Sequence, residues 1–222
     1  ESSYSIIDLI DKMTKCFDAG YSDCQPSSFT YSCLFDNILR SPPHLGLAKV
    51  AVETLHKLEQ EYFQNVNNPK KGAVVKPDVV MYNTVLQTLS RLGDDYCKQT
   101  AMSICRSMES KYHDGHKDLE PGNITYTMVL KTFMANPSKA DFVKMSNFYA
   151  SVERLSAMEN RSFKLDSITT QTMLVILKNA RSARAAYEAE AILAKLNLNH
   201  VSLKLASEMI SCVVLAFVQV SD

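Results

Sequence analysis

Pro77-Asp-Val-Val-Met-Tyr82-Asn-Thr-Val-Leu86 is the stretch on which the fold turns. Tyr82, Val85, Leu86 and Leu89 fall at i, i+3, i+4 and i+7, one apolar stripe of an α-helix. A proline disfavours helix in the residue before it, so Pro77 sets a clean entry into the helix that follows. The same order of residues returns three times without gaps: Pro26-Ser-Ser-Phe-Thr-Tyr31-Ser-Cys-Leu-Phe35, Pro121-Gly-Asn-Ile-Thr-Tyr126-Thr-Met-Val-Leu130 and Leu165-Asp-Ser-Ile-Thr-Thr170-Gln-Thr-Met-Leu174. Tyr126, Val129, Leu130 and Phe133 repeat the stripe. Self-similarity of this kind marks a repeat architecture.

Each copy carries a second helix, recognised by a small residue seven before a Met or Leu: Ala51 with Leu58, Ala101 with Met108, Ser151 with Met158. A small side chain lets two helices approach, and the large one two turns later fills the space between repeats. Ile6 to Met13 reads as the second helix of an earlier repeat, since Met13 precedes Pro26 by the same 13 residues that separate Met108 from Pro121. Tyr31, Tyr82, Tyr126 and Thr170 stand 51, 44 and 44 residues apart. The excess over a bare hairpin sits in polar, turn-rich stretches, Gln64 to Lys76 and Lys111 to Glu120, with a further excess near Ala135 to Asp141. These read as surface insertions on a constant hairpin. In the fourth copy, helices are expected to about Lys178 and from about Ala183 to Leu196, where Ala186 with Leu193 and Ala189 with Leu196 both fit the pair rule. The chain divides as 1–25 (second helix of a truncated repeat), 26–76, 77–120, 121–164 and 165–200 (four repeats) and 201–222 (a degenerate fifth), all within one array.

Lys plus Arg, 24, equals Asp plus Glu, 24, so net charge exerts no long-range pull toward nucleic acid or acidic membrane. Cys16, Cys24, Cys33, Cys97, Cys105 and Cys212 include no pair at zinc-site spacing and read as reduced, mostly packed thiols. The longest apolar run, Cys212 to Val218, falls short of the about 20 residues that a bilayer needs. Glu1 is not a methionine and helix begins almost at once, so a longer protein, with any targeting leader outside this stretch, is expected. His113 and His116 with Asp114 and Asp118 form a small cluster, but a glycine interrupts it inside an insertion, so no metal site is expected; His44, His56 and His200 are scattered. Asn123-Ile-Thr and Asn160-Arg-Ser match the glycosylation sequon by chance, Asn123 opening a repeat helix. There is no Gly-rich phosphate loop, no nucleophile in a strained-turn motif and no paired carboxylates on an apolar helix face. No catalysis and no cofactor are expected.

Pro-Asp-Val-Val-Met-Tyr-Asn-Thr-Val-Leu, followed by a helix with the Ala101 and Met108 pair, resembles the pentatricopeptide repeat family over essentially the whole chain. The likeness is strongest at the second copy; Ser27 and Thr170 depart from the pattern. The tetratricopeptide family is the nearest competitor, but its tryptophan and Leu-Gly signature are missing, with no Trp present. The resemblance implies an all-α, right-handed superhelical solenoid of antiparallel helix-turn-helix repeats. It further implies binding of single-stranded RNA in a mitochondrion or chloroplast, one base per repeat.

By that resemblance the fifth residues, Ser32, Asn83, Thr127 and Gln171, and the closing residues, Asp78, Gly122 and Asp166, address the base edge. The second residues, Phe29, Val80, Ile124 and Ile168, pack on base faces. Ser32 with Asp78 and Thr127 with Asp166 resemble guanine-selecting pairs, and Asn83 a pyrimidine selector, although Gly122 stands where an acidic or amide residue is the pattern. Arg40 and Arg91 share a register from which they would meet phosphates. The same polar positions also suit ordinary helix capping, Asp78 as an N-cap above all, and the apolar ones suit inter-repeat contact. The competing function is a non-catalytic protein-interaction scaffold or accessory subunit of a large organellar complex, such as a ribosome or a respiratory or photosynthetic assembly. Zero net charge, long insertions and few repeats point to it.

Overall fold

A computed structural model describes residues 2–65, 74–134, 139–196 and 203–221. Most of the insertion at 64–76, part of the stretch near Ala135 to Asp141, His200 and the opening of the segment at Val201 lie outside the described residues. Within them the chain is helical with no strand: α1 (Ser2–Asp18), α2 (Ser28–Arg40), α3 (Leu45–Asn65), α4 (Val79–Ser90), α5 (Asp95–His113), α6 (Asn123–Met134), α7 (Lys139–Ser156), α8 (Ser167–Asn179), α9 (Ala183–Lys195) and α10 (Leu203–Ser221). No described helix is long and apolar enough to cross a membrane.

The chain forms two compact units, Glu1–Leu92 with Ser107–Glu120, and Gly93–Arg106 with Pro121–Asp222. In the first, α2 packs on α1, α3 and α4, and α4 also on α3. In the second, α8 packs on α6, α7, α9 and α10, with α6 also on α7 and α9 on α10. The periodic stripes are the core: Leu34, Phe35 and Ile38 of α2, Val85, Leu86 and Leu89 of α4, Val129, Leu130 and Phe133 of α6, and Met173, Leu174 and Leu177 of α8 are all buried. Each fully buried side chain of this kind contributes about 1.5–3 kcal/mol.

The fourth residue of each copy is buried as well, Tyr31, Tyr82, Tyr126 and Thr170. Tyr82 donates its hydroxyl to Glu59, which also accepts from Lys111 at 2.7 Å; burial and that bond hold the phenol far above its ordinary pKa. In α8 the smaller Thr170 stands where the other copies have tyrosine, and Tyr149 of α7 supplies the ring, its hydroxyl donating to Thr170 at 3.0 Å. Threonines buried on the first helices satisfy their own hydroxyls: Thr88 donates to the Thr84 carbonyl, Thr132 to Met128 and Thr172 to Ile168, at 2.8–2.9 Å.

Two sequence expectations are corrected. α6 ends at Met134 and α7 begins at Lys139, the spacing seen from Ser90 to Asp95, so no further excess precedes the second helix of the third copy. The surplus follows α7 instead, in residues 157–166. Accordingly the small-and-large pair there is not Ser151 with Met158. Met158 lies beyond α7 and is 46% exposed, whereas Met145 and Val152, 44 residues after Ala101 and Met108, are buried. A seven-residue spacing recurs by chance in any helix, and only the neighbouring helices decide which face is covered. Thiol burial is also mixed: Cys97, Cys105 and Cys212 are buried, Cys24 is half-buried, and Cys16 and Cys33 are exposed.

Among the described residues one position outside glycine has a left-handed backbone. Gly93 joins α4 to α5 with φ 66°, and Arg181, 88 residues later in the link from α8 to α9, adopts φ 47° in the same left-handed region.

An ion pair is buried in the second unit: Lys98 Nζ lies 2.9 Å from Asp141 Oδ2 and 5.8 Å from the Phe133 ring centre. Removing one partner leaves the other charge desolvated, so Asp141→Ala is expected to cost about 3–5 kcal/mol in urea unfolding, while Lys98→Met with Asp141→Leu recovers most of it. Burial pushes the Tyr149 phenol up to about 12 from its ordinary 10.0. The folded state thus holds that proton more tightly. The associated stability is complete below pH 10 and is lost as pH rises toward 12, about 2–3 kcal/mol. Denaturation measured across that range should show Tyr149→Phe with a shallower decline than the unaltered chain.

Candidate functional site

The second residue of each copy is the large apolar side chain that its first helix leaves exposed. Phe29, Val80, Ile124 and Ile168 are 78%, 67%, 62% and 54% exposed, while the residues that follow in each stripe are covered. An isolated exposed apolar residue needs no explanation, but one per first helix at a constant position does. Phe29 and Val80 line a shared cleft of about 180 Å³ between α2 and α4 in the first unit, together with Ser32.

The closing residues act as helix caps. Asp78 accepts from the Met81 N–H at 2.8 Å, and Asp166 accepts from the Thr169 N–H at 2.8 Å and from its hydroxyl at 2.6 Å. Ser27, where the sequence departs from the pattern, closes a reciprocal capping box with Thr30. Gly122 holds the corresponding place before α6 without a side chain, and a Cβ added there meets open space. Asn123 beside it donates its amide to the Lys164 carbonyl at 2.7 Å, which occupies the sequon nitrogen in a structural bond.

The fifth residues differ from one another. Ser32 is half-buried at the cleft and makes no hydrogen bond within the described residues. Asn83 is half-buried. Thr127 is buried, its hydroxyl 2.8 Å from that of Thr169, which itself donates to Asp166. Thr127 and Asp166 are therefore joined through a third residue that nothing in the sequence pattern marked. Gln171 donates to Glu208 of α10 at 2.6 Å.

Neither arginine stands free. Arg40 pairs with Asp36 at 2.9 Å on the exposed face of α2. Arg91 donates to the carbonyls of Leu39 and Ser41, the latter at 2.9 Å, and so ties the end of α4 to the end of α2. The histidine cluster is likewise parcelled out: Asp118 pairs with Lys76 at 2.7 Å, and the His116 ring meets Phe63 edge-on at 4.9 Å. Among the described residues no three His, Cys, Asp or Glu side chains converge as metal ligands would.

The cleft is lined in addition by Cys33, Asp36 and Thr84, which the repeat pattern did not single out. The signal was present: Asp36 lies one helical turn from Ser32 on the same face. No protein-family model matches the chain, and no curated protein matches it.

If the closing position serves α6 as it serves α4 and α8, Gly122→Asp should stabilise the chain. A cap carboxylate at a helix N-terminus in place of glycine contributes ~0.5 kcal/mol, read as a raised urea midpoint.

Proposed function

We propose that this chain is a pentatricopeptide-type repeat protein of an organelle, a right-handed helical-hairpin solenoid that holds single-stranded RNA and performs no catalysis. The observation that carries this reading is the constant exposure of Phe29, Val80, Ile124 and Ile168 on otherwise buried first helices. A base needs an apolar face on each side, and stacking tolerates any base because each has such a face. The open cleft between Phe29 and Val80 supports one base position in the first unit. In the second unit Ile124 and Ile168 supply faces, while Thr127 and Gln171 are engaged with the protein itself.

Six cations are engaged within the protein: Lys76, Lys98, Lys111, Lys195 and Arg40 face carboxylates, and Arg91 faces carbonyls. The slope of binding against salt counts the phosphates that the remaining cations neutralise.

The second reading, an interaction scaffold within a larger organellar assembly, is favoured by α10. Ile210, Val214, Leu215 and Val218 leave apolar surface uncovered along that helix. A protein partner would use such a patch and an RNA would not.

Anisotropy of a labelled single-stranded RNA pool at two salt concentrations decides between them. The RNA reading expects binding at low salt that Phe29→Ser with Val80→Ser weakens by about tenfold, since one lost stacking partner is worth ~1–3 kcal/mol. Both side chains are exposed, so the variant keeps its fold. Absence of binding at low salt transfers the assignment to the scaffold.

A further inference from the structure

Two of the three cysteines that reach solvent stand side by side. Cys16 is exposed near the end of α1, and Cys24 is half-buried in a single helical turn, Ser22–Cys24, that packs against α1. Backbone bonds fix the reversal between them. The Gly20 N–H donates to the Phe17 carbonyl at 2.9 Å and the Tyr21 N–H to the Cys16 carbonyl at 3.1 Å, the paired closure with which a helix ends on a left-handed glycine; Gly20 has φ 101°. The Cys24 N–H then donates to the Tyr21 carbonyl at 3.0 Å. The chain thus doubles back until the Cys24 thiol hydrogen-bonds the Cys16 thiol. The buried thiols are guarded by contrast: burial and a hydrogen bond with Asp94 push Cys97 up to about 12 from its ordinary 9.0.

We propose that Cys16 and Cys24 are a redox modification site, joined as a disulfide by a small disulfide oxidant such as glutathione disulfide. The Cys16 thiolate, the more exposed of the two, attacks one sulfur of the oxidant; a Cys16–glutathione bond forms, the oxidant's S–S bond breaks and one glutathione thiolate leaves. Burial, with the charge and hydrogen bond of Cys16 and the charge of Asp23, pushes the Cys24 thiol above its ordinary 9.0, so Cys24 holds its proton at this stage. The mixed disulfide removes the Cys16 charge. Cys24 then gives up its proton, and its sulfur attacks the Cys16 sulfur and expels the second glutathione thiolate. Two protein thiols are oxidised, one glutathione disulfide is reduced to two thiols, and both protons end on the released glutathione. In a reducing compartment such a pair rests as thiols and joins only when oxidant rises, as sensing disulfides do. Joined, it staples the end of α1 to the approach to α2, on which α1 packs.

Cys33, exposed on α2, serves as the internal comparison. The full chain is held in ~1 mM total glutathione at graded oxidised share, quenched with iodoacetamide and cut with chymotrypsin. Cleavage after Phe17, Tyr21, Phe29 and Tyr31 puts Cys16, Cys24 and Cys33 on separate peptides, which are followed by mass spectrometry. The Cys16 and Cys24 peptides should emerge joined at ~10-fold lower oxidised share than that at which Cys33 is half-converted to its glutathione mixed disulfide, because the second step is intramolecular. Dithiothreitol should separate them, and Cys24→Ser should leave Cys16 carrying glutathione. Cys24 lies eight residues after Cys16 and nine before Cys33, so the chain in urea should join it to either equally, and the folded chain to Cys16. Both thiols recovered alkylated at every oxidised share, glutathione retained on Cys16 of the unaltered chain, or folded Cys24 joined to Cys33 as readily as to Cys16 overturns the proposal. The joined chain should also reach its urea midpoint later than the reduced one; equal midpoints overturn the staple and leave the modification standing.

Discussion

Burial of the first-helix stripe is the constraint from which the rest follows. Within each unit the first helices are covered by neighbours on more than one side, α8 by four other helices. Helices in that position carry a wide apolar stripe, and several threonines enter it by returning their hydroxyl protons to the preceding turn, as Thr88, Thr132 and Thr172 do. The side chain at the second position escapes because it leaves the helix at its first turn, beyond the reach of the covering helices. Exposure of Phe29, Val80, Ile124 and Ile168 follows in this sense from where the first helices begin.

The same constraint divides the polar positions. A carboxylate at the helix entrance first answers the unsatisfied N–H groups of the opening turn, which is what Asp78 and Asp166 do. A hydroxyl one turn further in is drawn between helices and pairs there, as Thr127 does with Thr169. Where the neighbouring first helices leave a cleft, as between α2 and α4, Ser32 lines it half-buried, and Asp36 beside it pairs with Arg40. Site chemistry thus varies from copy to copy although the buried apolar stripe of the first helix recurs.

Charge follows a related logic. A net-neutral chain that buries Lys98 against Asp141 and half-buries Lys111 against Glu59 has put cations into joints between helices. Both pairs cost desolvation that their mutual attraction offsets only when geometry is good. Cations used in this way are withdrawn from any phosphate track.

Helix positions were readable from residue order alone, because a period of 3.6 and, in three of the four copies, a proline before the entrance are local signals: Pro26, Pro77 and Pro121 each stand two residues before a first helix. Exposure of the second residues was implied only through the family resemblance, and the capping role of Asp78 followed from its place before a helix. The covered face of α7 was not readable, since Ser151 with Met158 satisfies the spacing as well as Met145 with Val152, and adjoining helices choose between them. Nor were the Thr127–Thr169–Asp166 chain, the Arg91 tie or the place of Asp36 beside Ser32 and Thr84. Each joins groups from different helices, or from helix to link, and the distances between such groups are set when the helices dock. Local order along the chain specifies which residues become helical; contacts made across helices specify which of their polar atoms are left to meet a ligand.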